Sequence, residues 1–160
     1  SRLVQGSVAI NLNVANLLSA DFERLAQRMY DRDGAQLWVD LDLRDVLANL
    51  RDFRDAQLVL KRFKVRTMSD STAPEAVPTA EQRDLGLDGY KFVCPEDEES
   101  LSHISGTLKQ IQEANRIAML TRVEHESAIS AGHQMGIEHF QGFYINDLLS
   151  GFVERPVERS

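Results

Sequence analysis

The chain has 160 residues, 42% of them hydrophobic, enough for one globular domain with its own core or for part of a barrel that needs about 200 residues or more. A net charge of −7, from 25 acidic and 18 basic residues, excludes a surface built to neutralise a duplex phosphate backbone, so no DNA contact is expected. The single Cys94 excludes an internal disulfide and fits a reducing compartment, and no apolar run is long enough to span a bilayer or reads as a signal peptide; a soluble cytoplasmic protein without membrane contact is expected.

Short strands alternate with helical segments along the chain. Residues 7–14 alternate Val8, Ile10, Leu12 and Val14 against Ala9, Asn11 and Asn13, the period of a strand. Residues 19–34 read as a helix with Ser19 as N-cap and Gly34 just past its end. A second strand over 35–43 sets Leu37, Val39, Leu41 and Leu43 on one face and Trp38, Asp40 and Asp42 on the other. A helical period returns over 44–63, followed by a third strand at 64–70 and, with two of the four prolines, a loop at 71–80. Strand 87–93 precedes a helix over 95–115, whose acidic start suits the positive end of the helix dipole. A fifth strand at 116–123, a short helix at 124–136 ended by Gly136, and a sixth strand through 137–145 complete the pattern. The polar end at 154–160 is expected to be a flexible tail after a single domain at 1–153.

Strand–helix alternation at this spacing implies parallel strands joined by right-handed crossovers. No strand is followed by GxGxxG or GxxxxGK[ST], so the usual signals for dinucleotide and P-loop nucleotide binding are missing, and there is no internal repeat. Polar residues recur where the strands end: Asn11, Asn13, Asp40, Asp42, Asp70, Lys91, Thr121, Glu124 and Gln141. A (β/α) barrel assembles its site at that end, which favours a barrel-like α/β sheet over an open Rossmann-type one.

Other candidates read more simply. His125 and His133 lie eight residues apart on one predicted helix and do not converge as an i,i+4 pair does, and His103 and His139 add no ligand spacing. Cys94 has no neighbouring cysteine and reads as a small buried residue rather than a nucleophile. Ser69, Asp70 and Ser71 have no histidine with a reason to approach them, so no triad is expected.

Taken in order, the segments AINLN (9–13), VDLDL (39–43), MSDST (68–72), LDGYKFV (87–93), TRVE (121–124) and QGFY (141–144) resemble the EAL family of barrel phosphodiesterases and receptors of cyclic di-GMP. The family shows S-I-N-x-S, E-x-T-E, D-D-F-G, D-x-x-K-x-D, E-G-V-E and Q-G-Y in that sequence. The resemblance covers residues 8 to 146, and the run from Thr121 through Gly136 to Gln141 and Gly142 matches without a gap. It implies a TIM-barrel-like fold of EAL type, incomplete or modified, with about six to seven strands here. It also implies a ligand site of Asn11, Asp40, Asp70, Lys91, Glu124 and Gln141. Within it Asn11, Asp40 and Asp70 stand at metal-binding positions, Lys91 and Gln141 at positions that orient water and ligand, and Glu124 at the second Glu of E-G-V-E, with Lys91, Glu124 and Gln141 expected as vestiges of a catalytic set. In the family two divalent ions, Mg²⁺ or Mn²⁺, activate a water and neutralise the phosphodiester that it attacks.

Departures from the family pattern set the functional expectation. Ser71 stands where a second metal-binding Asp is usual, Val93 where D-x-x-K-x-D ends in Asp, and Thr121 where E-G-V-E begins. Asp40 is a methylene shorter than the family's Glu, the F-G-T-G loop has become TAPEAVP, and the strand carrying the E-A-L signature is absent. Too few carboxylates remain for a pair of hard cations. The resemblance therefore implies a degenerate, catalytically inactive signalling domain without a required cofactor, working through a protein partner or as a homodimer across an uncovered sheet edge. A cyclic di-GMP receptor and a surviving metal-dependent phosphodiesterase are the alternatives.

Overall fold

The computed structural model describes residues 7–140. Six parallel strands form one sheet in chain order: β1 (Ser7–Asn11), β2 (Gln36–Asp42), β3 (Arg66–Asp70), β4 (Gly89–Val93), β5 (Ile117–Thr121) and β6 (His139–Phe140). Each strand pairs with the one before it and the order never reverses, so there is no switch point of the Rossmann kind. The sheet curls into half of a barrel with helices on its convex side, as the strand-end pattern implied.

Local sequence explains most helix boundaries. The helix α1 (Val14–Leu17) is capped reciprocally by Asn13 and Asn16, which ends β1 at Asn11 instead of carrying it to Val14. Helix α2 (Ala20–Asp31) begins where Ser19 Oγ accepts from Phe22 N–H at 3.1 Å, and it buries Phe22, Ala26 and Met29. Gly34 then turns the chain with φ +76°, a conformation that costs glycine nothing.

The single helix expected over 44–63 is two: α3 (Leu43–Ala48) and α4 (Leu50–Arg62). Asn49 breaks it at φ −129°, ψ 44°, with its side chain donating to the Asp45 carbonyl at 2.9 Å and so competing with the helical ladder. The segment 95–115 likewise divides into α6 (Glu98–His103) and α7 (Ser105–Glu113), meeting at Ile104. The expected loop at 71–80 instead contains a 3₁₀ turn (Pro74–Ala76) and α5 (Val77–Gln82). Its prolines sit in first turns, where the missing N–H would have had no helical partner. Helix α8 (Glu126–Gln134) precedes β6, whose expected continuation over 141–145 lies outside the described residues.

Strand alternation sorts the core from the concave face. Leu37, Val39 and Leu41 of β2, Tyr90 and Phe92 of β4 and Leu120 of β5 are all buried against the helices. In register on the other face lie Asn11, Trp38, Asp40, Met68, Gly89, Lys91, Ile117 and Met119. Gly89 fixes how closely β4 packs between its neighbours. A Cβ there would stand 2.4 Å from the Ile117 carbonyl oxygen, 2.7 Å from Ile117 Cβ and 2.8 Å from Met68 Sδ. Gly89→Ala is expected to destabilise the fold by about 3 kcal/mol, read as a lower urea midpoint with unchanged m-value.

Candidate functional site

The strand ends bring one pair of site residues into direct contact. Lys91 Nζ on β4 donates to Asp40 Oδ2 on β2 at 2.6 Å, across the intervening β3. Two strand spacings amount to about 10 Å, a gap that only a long side chain crosses. Both residues are buried, Asp40 to 8% and Lys91 to 7% exposure. Met68, register-paired with Asp40 and almost completely buried, lies on the same face between them. Asp40 Oδ1 is buried and has no hydrogen-bond partner. Such an oxygen has lost its water without a full replacement, so removing its one counter-charge is costly.

The other predicted residues are placed differently. Asn11 is register-paired with Asp40 on the same face and is exposed. Asp70 ends β3, half-buried and in register with Asp42. Asp42 itself is engaged as the N-cap of α3: it accepts from Arg44 N–H at 2.8 Å and from the guanidinium at 3.0 Å. The hydrogen bond from the Arg44 side chain holds its carboxyl below the usual range. Ser71 is exposed, with φ +47°, and the chain turns there so that Thr72 N–H donates to the Lys91 carbonyl at 2.8 Å. Val93 and Thr121 face each other in register at the ends of β4 and β5. Gln141 lies outside the described residues.

Glu124 belongs to a separate place. It is exposed and lines a cavity of about 610 Å³ with Cys94, Asp97, Arg122 and His125, a lining that includes none of Asn11, Asp40, Asp70 or Lys91. Burial, with a smaller contribution from the Glu124 carboxylate, pushes the Cys94 thiol up, so it is not an activated nucleophile. Among the described residues no group of three or more His, Cys, Asp or Glu side chains is assembled to hold an ion.

Sequence reasoning missed a second polar cluster, on the convex side. Tyr90 OH donates to Glu81 Oε1 at 2.7 Å, and Arg116 Nε lies 3.4 Å from the same oxygen in an ion pair that falls short of a hydrogen bond. Burial, then the Glu81 carboxylate, push the Tyr90 phenol far above its ordinary value. The cluster ties α5 to β4 and to the start of β5. Asp88, the first Asp of the D-x-x-K pattern, accepts from Thr67 N–H at 2.7 Å and from Arg66 at 3.1 Å and so acts as a brace between β3 and β4. Asp88 was visible in the sequence as part of the D-x-x-K pattern, whereas nothing local linked Glu81, Tyr90 and Arg116.

Comparison with solved structures places this architecture. The chain superposes on the FimX EAL domain from Pseudomonas aeruginosa, bound to c-di-GMP, with a TM-score of 0.71 at 15% identity, over 86% of this chain and 60% of that one. The fold is EAL-like. A Listeria monocytogenes EAL domain protein matches with a TM-score of 0.69 at 16% identity, over 90% of this chain and 63% of that one. Klebsiella pneumoniae BlrP1, in a manganese/cy-diGMP complex, matches at 0.69 and 18% identity, over 89% and 39%. The chain thus spans less than two thirds of the length of each of these proteins. No protein-family model matches it, and no curated protein matches it by sequence.

Among the described residues the donors do not fit the two-ion arrangement of an EAL-type phosphodiesterase. Asp40 already holds an ammonium, Ser71 and Thr121 bring no charge, and Glu124 opens onto a different cavity.

Two outcomes follow. Asp40→Asn is expected to cost about 3–5 kcal/mol in urea denaturation, because it leaves the Lys91 ammonium buried without its counter-charge, whereas Asn11→Ala at the exposed neighbour changes stability little. Cys94 is expected to react with a disulfide reagent at pH 8 about tenfold more slowly than an exposed thiol, with Glu124→Gln raising the rate.

Proposed function

We propose that this chain is a regulatory EAL-like domain that does not hydrolyse cyclic di-GMP and that acts in the cytoplasm through contact with a protein partner or a second copy of itself. The observation that carries the reading is the set of strand ends, where exposed Ser71 and the register-paired Val93 and Thr121 bring no charge at positions that the family pattern fills with carboxylates. On this reading Asn11, Asp40, Asp70, Lys91, Glu124 and Gln141 are the remains of a ligand site, within a domain of residues 1–153 followed by a tail at 154–160.

Exposed surface at the first strand supports contact with another protein. Among the described residues β1 is paired on one side only, and Val8, Leu18 and Leu25 are exposed hydrophobics at 42%, 47% and 37%. On α2, Leu25 lies on the flank opposite Glu23 and Tyr30, which meet Arg62 and Phe63 at the end of α4 and just beyond it. An exposed apolar flank is a surface that another chain covers favourably.

A cyclic di-GMP receptor is the second reading, favoured by the c-di-GMP bound in the FimX and BlrP1 structures that share the fold. Calorimetry and a product assay on the natural full-length protein separate the readings. Expected are no heat with millimolar cyclic di-GMP and no linear pGpG with Mg²⁺ or Mn²⁺. Heat without product moves the assignment to a receptor. Metal-dependent turnover that Asp70→Ala abolishes overturns the non-hydrolytic reading.

A further inference from the structure

The foot of the sheet, where the strands begin, gathers positive charge in a chain whose net charge is −7. Four of the six residues 61–66 are basic: Lys61, Arg62, Lys64 and Arg66 are exposed, while Phe63 and Val65 turn into the core. Arg66 pairs with Asp88 at 3.1 Å and Arg62 with Glu23 at 3.9 Å. Lys61, Lys64 and Arg32 enter no ion pair among the described residues. Arg32 and Lys64 both line a cavity of about 180 Å³ between the end of α2 and the start of β2. Tyr30 and Phe63 meet edge to face at 6.0 Å on its wall, and Asp33 is the one acid among its described lining residues.

Backbone conformation singles out Lys64 independently. Helix α4 closes with Val65 N–H donating to the Leu60 carbonyl at 2.8 Å and Lys64 N–H to the Lys61 carbonyl at 3.3 Å, the paired bonds of a Schellman turn. That turn holds Lys64 at φ +52°, where glycine or asparagine is at home and lysine is strained. Helices α7 and α8 close with the same two bonds, and there Asn115 and Gly136 take the left-handed position. Attraction to the negative end of α4 accounts for Lys61 and Arg62 in its last turn, but not for a strained lysine beyond it.

We propose that this face docks an acidic segment of a partner protein, with one glutamate side chain laid against Tyr30 and its carboxylate between Lys64 and Arg32. Strain that the turn itself does not require is thereby given a use, since it holds the lysine on the rim of the cavity. The volume admits one side chain of that size, whose methylenes rest on the aromatic wall while its charge meets the cations. A broad anionic surface, such as a membrane or a duplex, would also face the acidic remainder of the chain and be repelled by it, which a short segment avoids. The inference goes beyond the non-hydrolytic reading above and does not depend on it.

Fluorescence anisotropy of a fluorescein-labelled hexaglutamate peptide, titrated with the full-length protein, tests it. Binding by wild type is expected to weaken by about tenfold or more between about 50 and about 200 mM salt. Lys64→Glu is expected to weaken it by about tenfold, whereas Arg51→Glu, the same charge change at the other end of α4, leaves it within about twofold. Lys64→Gly relieves the backbone, so its urea midpoint is expected to match or exceed that of wild type while peptide binding falls by about fivefold. A residue that served only the fold would show the reverse. No binding by wild type at millimolar peptide, unchanged binding by Lys64→Gly, or equal losses from Arg51→Glu and Lys64→Glu overturns the proposal. Tighter binding to vesicles of phosphatidylserine and phosphatidylcholine in equal parts, lost in Lys64→Glu, overturns it in favour of a membrane surface. Wild-type self-association that Lys64→Glu dissolves overturns it in favour of a second copy.

Discussion

A lysine reaching over one strand to a buried aspartate sets the terms for the concave face. Taking an ammonium and a carboxylate out of water costs several kcal/mol for each ion, and contact between them offsets that cost only while the geometry holds. The geometry depends on the curl of the sheet, since Lys91 and Asp40 sit on strands that are not neighbours. It depends also on what lies between. Met68 is buried on the strand in the middle, and a bare Gly89 stands in register beside it. A larger residue at 89 would push β5 away through the Ile117 carbonyl and disturb the strand that carries the lysine.

Strand β4 is where the two sides of the sheet are tied together. Just before it, Asp88 braces the start of β3 through Thr67 N–H. One residue on, Gly89 allows close approach; the next, Tyr90, points into the helix layer and joins Glu81 and Arg116; then Lys91 points into the concave face. Alternation alone assigns these roles. The result is polar linkage on both faces of a single strand, with Phe92 returning to the apolar core directly after it.

The sequence made local features legible and left long-range ones hidden. Ser19 as a cap, the apolar face of β2 and the parallel order of the strands were readable because each depends on a few neighbouring residues or on a simple period. Asn49 and Ile104 went unseen as breaks because a helical period continues through a one-residue kink. Pro74 and Pro78 read as loop signals, although proline is at home in a first turn. The site was legible only as a set of polar strand ends. Nothing local distinguishes Asp40, which meets a lysine 51 residues away, from Asp42, which turns to cap the helix that follows it. That distinction needs the strand order and the side-chain alternation together.

The two places differ in how their charges are arranged among the described residues. On the concave face the ammonium of Lys91 is spent on Asp40, so the pair presents no net charge to a phosphodiester. At the ends of β4 and β5 the cavity is lined by Glu96, Asp97, Glu98 and Glu124 against Arg122 and the imidazole of His125. Asp97 stays ionised as a cap, its carboxyl held below the usual range by hydrogen bonds from Ser100, so its negative charge is permanent near neutral pH. A doubly anionic dinucleotide entering this cavity meets more negative than positive charge among the described lining residues; the charged ones are all exposed, so the repulsion is screened by solvent. The charges retained here instead stabilise strand ends and helix starts.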